Sequence, residues 1–318
     1  MSNASTHKPK IGLALGSGSA RGWSHIGVIQ ELAEIGIVPE IVSGSSIGAI
    51  VGAAYASNQL DILDNWARSL TWKEIINYID LSIIGGGFIQ GEKLLELAKN
   101  FFKVDSIESL PHQFGMVATE LDTGREIWFQ DGPILDALRA SIALPGMFTP
   151  VKINGKWLVD GGLSNPVPVS LCRAMGADIV IAVNLNGDIV GKHNRNHSSK
   201  KALSDNQNSS NENDLWERIS NQLKNSLNES KDKILSQLFG DNLDTPGLFD
   251  VLAGSINIMQ DRITRSRMAG DPPEIILSPR LSELGLMEFD QAEKAIAEGR
   301  ACVRRMRPAL EQLIIDFS

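Results

Sequence analysis

Short apolar segments alternate with amphipathic segments through residues 10–186, and this alternation constrains the fold more than any other feature of the sequence. Ile11–Leu15 is continuously apolar, as expected for a buried strand. Ile47–Ala56 is crowded with Gly and Ala, which predicts a central helix lying close to its neighbours. Strands that alternate with helices in this way form a parallel or mixed sheet with helices on both faces. We therefore expect an α/β fold.

Hydrophobic periodicity and turn residues predict the remaining elements. Further strands are expected at 41–43, 113–121, 126–130, 156–159, 178–184 and 274–277. Further helices are expected at 22–35, 60–70, 72–78, 92–102, 134–142, 169–175, 248–268 and 289–315.

Composition changes abruptly after Asn186. Residues 187–213 are mostly Asn, Ser, Lys and His, which predicts a disordered insertion. Residues 215–239 have the apolar spacing of an amphipathic helix. This helix would lie on a lipid surface, cover the site as a lid, or pack against the domain or across a dimer. The mixed charges of its polar face favour packing.

We expect residues 1–9 to be a disordered N-terminus or the remnant of a tag, and residues 10–318 to form one domain. The net charge of −8 argues against a nucleic-acid partner, which would require a surplus of basic residues. Cys172 and Cys302 are expected to be buried thiols, which favours a reducing cytoplasm. No segment approaches the roughly 18–20 uninterrupted apolar residues of a membrane span.

The segment Gly44-Ser-Ser-Ile-Gly48 fits the pattern G-x-S-x-G and falls between a predicted strand and a predicted helix. This is the context of a nucleophile elbow, in which glycines permit a sharp turn and the middle serine stands at a helix N-terminus. The dipole of that helix favours a developing negative charge. Ser46 is thus a candidate nucleophile, although the same small residues would also suit a plain tight turn.

A second glycine-rich loop, Gly16-Ser-Gly-Ser-Ala-Arg-Gly22, also joins a strand to a helix. The backbone N–H groups of such a loop converge on an anion. A phosphate-binding P-loop would end in Gly-Lys-Ser or Gly-Lys-Thr, which this loop lacks. A dinucleotide loop is also disfavoured, because Arg21 stands at its third glycine position and Glu40 precedes the second strand. An oxyanion hole requires the same convergent amides and agrees with the elbow.

Asp160 ends a predicted strand and is followed by two glycines. Alone, this segment could be an ordinary turn. An α/β-hydrolase triad, however, needs a histidine downstream of its acid, and the histidines after Ser46 are poorly located for that role. His112 precedes Asp160, whereas His193 and His197 fall in the polar insertion.

His25 lies one helical turn beyond the glycine loop, where we expect it to pack or cap rather than act as a base. With no suitable histidine, a carboxylate must accept the serine proton directly. This requires Asp160 to lie close to Ser46, partly desolvated and hydrogen-bonded to its hydroxyl.

In this order, the glycine loop, the G-x-S-x-G elbow and Asp160-Gly-Gly162 resemble the motifs of the patatin-like phospholipase family. Ser141-Ile-Ala-Leu-Pro-Gly-Met-Phe-Thr-Pro150 also resembles a Ser-x-x-x-Pro-x-x-Phe-x-Pro stretch of that family. Within it, the chain is most similar to bacterial proteins related to the catalytic domain of neuropathy target esterase. The resemblance covers residues 10–186 well and the late strand and closing helix loosely.

The resemblance implies a three-layer α/β/α sandwich with a mostly parallel central sheet and a serine acyl-ester hydrolase with a Ser-Asp dyad. It makes Ser46 the nucleophile and Asp160 the base. Ser17 departs from many members, which have glycine there, but its backbone amide is retained. The residues assigned to the oxyanion hole are Gly16, Ser17, Gly18, Arg21 (as a support) and Ile47, and the elbow and motif glycines are Gly44, Gly48, Gly161 and Gly162.

The expected substrate is a lipid or another acyl ester, of the phospholipase or lysophospholipase type. We expect no metal or cofactor, and a cytoplasmic protein with peripheral contact at a membrane surface. Two alternatives stay open. The chain could be a non-catalytic lipid-binding or regulatory module on the same fold, or a lipid acyltransferase in which a lipid alcohol replaces water.

Overall fold

The computed structural model describes residues 9–71, 99, 104–188 and 248–317. The helices predicted at 72–78, 92–102 (apart from residue 99) and 215–239 lie outside these ranges. So do residues 1–8 and all of the predicted polar insertion except Gly187 and Asp188.

In the described part of the chain, one sheet contains β1 (Ile11–Leu15), β2 (Ile41–Ser45), β3 (Gln113–Glu120), β4 (Glu126–Phe129), β5 (Val151–Ile153), β6 (Lys156–Asp160), β7 (Ile179–Val183) and β8 (Ile275–Leu277). The helices are α1 (Ser24–Glu34), α2 (Ile47–Ala56), α3 (Leu60–Ser69), α4 (Ile134–Ser141), α5 (Val169–Ala174), α6 (Leu248–Gly270) and α7 (Ala292–Asp316). Short 3-10 helices occupy Ser19–Trp23, Ile107–Ser109, Gly161–Leu163 and Phe289–Gln291.

The predicted elements within these ranges are confirmed, with shifts at their ends. The helix predicted at 22–35 begins as the 3-10 helix Ser19–Trp23, and the one predicted at 289–315 begins as Phe289–Gln291. Strand β5 was not predicted, because its three residues are too short to have a recognisable period.

Most of the sheet is parallel, as the expected fold class requires. Strands β3, β2, β1, β7 and β8 are neighbours in that order and run parallel. Strands β4 and β6 run antiparallel to β3, and β5 forms a hairpin with β6.

Strand β3 brings the ends of two motif-bearing strands together. Residues 116–117 of β3 pair with both β2 and β4, so β2 and β4 lie on opposite sides of β3. Residues 118–119 pair with both β4 and β6, so β6 also lies opposite β4. Strands β2 and β6 therefore share one side of β3 and meet end to end. Their last residues, Ser45 and Asp160, pair with adjacent residues of β3.

Strand side chains alternate between two apolar layers, as a sheet covered on both faces requires. One layer combines α1, α2, α3 and α7 with the strand residues Leu13, Leu15, Val42, Ile181 and Val183. The other combines α5 with the strand residues Ala14, Ile41, Val117, Val180 and Ala182. Cys172 and Cys302 are buried free thiols, as predicted.

Helices α1 and α7 cross at very short distance. A Cβ atom on Gly27 would lie 2.0 Å from the carbonyl oxygen of Ile296, and one on Gly299 would lie 2.0 Å from that of Ser24.

In the described residues, no helix combines the length and apolar character needed to cross a bilayer.

Candidate active site

Ser46 lies at the sharp turn between β2 and α2. Its φ of 56° and ψ of −124° fall in a region that residues with a side chain seldom adopt. Gly44 permits the turn, because a Cβ atom there would lie 2.5 Å from the Cα of Ala49. Ser46 is the N-cap residue of α2 and is half-buried. The local geometry is therefore that of a strand–turn–helix elbow.

Asp160 is completely buried at the end of β6. The Ser46 Oγ donates a hydrogen bond to Asp160 Oδ2 at 2.6 Å, and the Gly162 amide donates to Oδ1 at 2.7 Å. Burial raises the pKa of Asp160 from its ordinary 3.8 to about 7, and the two hydrogen bonds offset part of that rise. The carboxyl group can therefore exchange a proton near neutral pH.

The C-terminal end of α4 and the loop after it hold both residues by their backbones. The Ser46 amide donates to Ser141 Oγ at 3.0 Å, and the Asp160 amide donates to the carbonyl oxygen of Ala143 at 3.0 Å. Ser141 begins the Ser-x-x-x-Pro segment noted in the sequence, so a signal for it existed, but its contact with Ser46 was not predicted.

The amides of the glycine loop fall into two groups. Those of Gly16 and Ser17 donate to backbone carbonyls of β7 and of Pro166, at 3.1 and 2.8 Å. They are not available to a substrate, and this corrects the expectation that both residues supply oxyanion donors. In contrast, within the described residues no acceptor is bonded to the amide of Gly18 or of Ile47. These two amides are the remaining candidate donors.

Arg21 holds the glycine loop through a hydrogen bond to the loop backbone. Its side chain is fully buried, its Nε donates to the carbonyl oxygen of Gly18 at 3.3 Å, and its Nη2 donates to Asn257 Oδ1 at 3.1 Å. Burial lowers the pKa of Arg21 to about 10, so the guanidinium remains charged at neutral pH. The contact with Asn257 was not predicted.

The two described histidines are not available as bases for Ser46. His25 is completely buried, and its Nε2 is bonded to the carbonyl oxygen of Gly16 at 2.7 Å. Burial lowers the pKa of His25 to about 4, so the ring is neutral and donates this bond. His112 stacks on Tyr55, and its Nε2 is bonded to Asn58 Oδ1 at 3.1 Å. His25 thus packs against the loop, as expected.

The remaining motif glycines allow backbone segments to approach closely. A Cβ atom on Gly48 would lie 2.2 Å from the carbonyl oxygen of Leu15, and one on Gly161 would lie 2.2 Å from that of Val117. Gly162 is also confined, because a Cβ atom there would lie 2.9 Å from Asp160 Oδ1. These glycines allow α2 and the turn after β6 to pack closely against the neighbouring strands β1 and β3.

A small apolar pocket lies between the glycine loop, the loop after α4, and α6. The residues that line it are Ser19, Leu144, Pro145, Gly146, Met147, Leu252, Ile256 and Leu286. The described residues contain no cluster of side chains suited to hold a metal ion.

Comparison with known proteins agrees with the motifs and the fold. The family model for patatin-like phospholipases matches residues 13–173. An NTE family protein of Mycobacterium bovis is 35% identical to this chain, and the alignment covers 97% of this chain and 93% of the relative. A second one from that organism is 29% identical, with 96% of this chain and 47% of the relative aligned. Patatin-like phospholipase domain-containing protein 7 of Rattus norvegicus is 33% identical over 55% of this chain and 13% of its own length.

Proposed function

Because this chain belongs to the patatin-like phospholipase family, we propose that it is a serine acyl-ester hydrolase with Ser46 as nucleophile and Asp160 as base. Membership of the family implies lipid acyl hydrolase activity. For this chain, the observation that carries the proposal is the 2.6 Å hydrogen bond from Ser46 Oγ to a fully buried carboxylate. The pairing supplies the base that a serine hydroxyl needs for attack.

In the proposed reaction, Asp160 takes the proton of Ser46 as Oγ attacks the ester carbonyl carbon. The tetrahedral intermediate collapses, the alcohol leaves with the proton from Asp160, and an acyl-serine ester remains. Water then attacks the acyl-serine while Asp160 accepts a proton from it, and the proton returns to Ser46 as the carboxylic acid is released. One base thus serves both half-reactions.

The oxyanion donors in this proposal are the amides of Gly18 and Ile47, which have no acceptor within the described residues. The Ile47 amide belongs to the first turn of α2, where the helix dipole favours a negative charge. Arg21 adds a buried positive charge behind Gly18. Donors that are already oriented stabilise a transition state without reorganising.

The apolar side chains around the small pocket beside the glycine loop agree with a substrate that has a hydrocarbon portion. This substrate is a lipid ester of the phospholipase or lysophospholipase type. Activity profiling over phospholipids, lysophospholipids and simple esters would identify the preferred head group and chain.

Purified protein should hydrolyse a chromogenic short-chain ester and be labelled by a fluorophosphonate probe. Ser46→Ala and Asp160→Asn should each lower kcat by about 10⁴-fold or more, as loss of a nucleophile or its base does in other serine hydrolases. Ser45→Ala is the matched control, since the Ser45 hydroxyl has no hydrogen-bond partner among the described residues. Full activity in Ser46→Ala would refute the mechanism.

The same reagents separate the alternatives. A non-catalytic lipid-binding module would leave Ser46 unlabelled by the probe. A lipid acyltransferase would be labelled, but added acceptor alcohols would divert its product from free acid to a new ester. Product analysis by mass spectrometry measures that ratio.

A further inference from the structure

Helix α6 lies beyond the segment that matches the family model, yet its side chains contact the glycine loop. Asn257 and Gln260 are three residues apart and therefore share one face of the helix. Asn257 Oδ1 accepts a hydrogen bond from Arg21 Nη2 at 3.1 Å. Gln260 Nε2 donates to Ser17 Oγ at 3.2 Å. One helix thus holds the loop at two points.

These two points lie on either side of Gly18. Arg21 Nε donates to the carbonyl oxygen of Gly18 at 3.3 Å. Because Asn257 fixes the Arg21 side chain, it also fixes the peptide group after Gly18. Ser17 precedes Gly18, and its hydroxyl is held by Gln260 while its amide is bonded to Pro166. The Gly18 N–H belongs to the peptide group between Ser17 and Gly18. Its direction therefore depends on how Ser17 and the Gly18 carbonyl are held.

Gln260 also lies close to Asp160, the proposed base. A Cβ atom on Gly162 would lie 2.4 Å from Gln260 Nε2, 2.7 Å from Ser17 Oγ and 2.9 Å from Asp160 Oδ1, so all three groups converge on one glycine. Gln260 is only 3% exposed, and its Oε1 accepts a hydrogen bond from Asn186 Nδ2 at 2.9 Å. The carboxamide is therefore fixed at both ends.

We propose that Asn257 and Gln260 are positioning residues through which α6 fixes the glycine loop and the orientation of the Gly18 amide. This inference rests on the proposed function, because it assigns the Gly18 amide to the oxyanion hole. A donor that is a fraction of an ångström misplaced binds the ground-state ester almost as well but stabilises the tetrahedral intermediate less. The expected defect is therefore in kcat rather than in KM.

The experiment compares Asn257→Leu, Gln260→Leu and the double variant with the full-length wild type. In the double variant, kcat for a chromogenic ester should fall about 10–100-fold while KM changes less than about threefold. Hydrogen exchange measured by mass spectrometry should become faster in the peptide that spans 16–22 and stay unchanged in β1 and β7. Ser266→Ala, an exposed residue of the same helix, is the control and should match the wild type.

Two conservative variants separate positioning from general folding. Asn257→Asp retains the acceptor for Arg21, so it should restore the kcat that Asn257→Leu loses. Gln260→Glu retains the acceptor for Asn186 but adds a carboxyl group beside Gly162, close to Asp160. Like charges disfavour each other's ionised form, so the midpoint of the pH–activity profile should move up by about half a unit or more.

Unchanged loop exchange and unchanged kcat in the double variant would overturn the inference. An unmoved midpoint in Gln260→Glu would contradict the location of Gln260 beside the base. Hydrogen exchange also keeps the two proposals distinguishable. If the wild type hydrolysed no ester but the loop still exchanged faster in the double variant, the proposed function would fail while the positioning role would stand.

Discussion

Asp160 combines complete burial with a direct hydrogen bond from the hydroxyl of Ser46, the proposed nucleophile. Burial raises its pKa to about 7, whereas a solvent-exposed aspartate would be a much weaker base. A general base is most effective when its pKa lies near the working pH. No histidine is needed to reach that value.

Activity should therefore depend on pH through Asp160. In the proposed mechanism the ionised carboxylate is the active form, so kcat/KM should rise about tenfold per pH unit well below the pKa and level off above about pH 8. The midpoint is expected at about 7. Stopped assays with an uncharged ester between pH 5 and 9 measure the profile. A flat profile over this range would contradict the assignment of Asp160 as base.

At the scale of single residues, sequence reasoning predicted Ser46 and Asp160 because each stands in a motif at the end of a strand. It could not predict that the Gly16 and Ser17 amides are already bonded, since their acceptors lie in β7 and at Pro166, far along the chain. Nor could it find Gln260, whose surroundings in the sequence form no motif. Partners of this kind depend on tertiary packing, which local patterns do not encode.

Among the described helices, α1 and α7 are in the closest contact. Gly27 and Gly299 allow the two backbones to approach until a Cβ atom on either would nearly overlap a carbonyl oxygen of the other helix. Glu31 of α1 also accepts two hydrogen bonds from Arg304 of α7, at 2.8 and 2.9 Å. This crossing attaches the C-terminal helix to the first helix of the fold.

Gly299→Ala should lower the free energy of unfolding by about 1–3 kcal/mol, because a methyl group cannot fit without separating the helices. Gly254→Ala on α6 is the matched control. A Cβ atom there meets nothing within 4 Å, so the change should stabilise the helix by up to about 1 kcal/mol. Urea unfolding followed by circular dichroism measures both values. Equal effects of the two substitutions would contradict the close crossing.

At the scale of elements, periodicity predicted the described α-helices and all described strands except β5. It could not predict that β2 and β6 lie on the same side of β3, because strand pairing joins residues far apart in sequence. The fold class was therefore predictable from the alternation of elements. The end-to-end placement of β2 and β6, which brings Ser46 and Asp160 together, was not.

For the molecule as a whole, Asp160 links stability to pH. Its pKa of about 7 in the folded state lies above the ordinary 3.8, so between these values the folded protein holds a proton that the unfolded chain has lost. The free energy of unfolding should therefore fall as pH rises through this window. The burial of the ionised form costs about 4 kcal/mol at pH 8, since each pKa unit corresponds to about 1.4 kcal/mol.

Asp160→Asn removes the ionisation and should gain stability relative to the wild type as pH rises from 4 to 8. The expected relative gain is about 4 kcal/mol, which urea unfolding at both pH values would measure. Ser46→Ala is the control: it also abolishes activity but keeps the carboxyl group, so the pH dependence should remain. A constant difference between Asp160→Asn and wild type would contradict the raised pKa.

The end-to-end meeting of β2 and β6 on one side of β3 also sets when the chemistry can begin. Ser46 and Asp160 are 114 residues apart in the chain, and they become neighbours only after both strands have paired with β3. During synthesis, Ser46 emerges from the ribosome before Asp160, its proposed base. A nascent or partly unfolded chain therefore carries an unactivated hydroxyl. Under the proposed mechanism, ester hydrolysis would start only in molecules in which both strands have paired with β3.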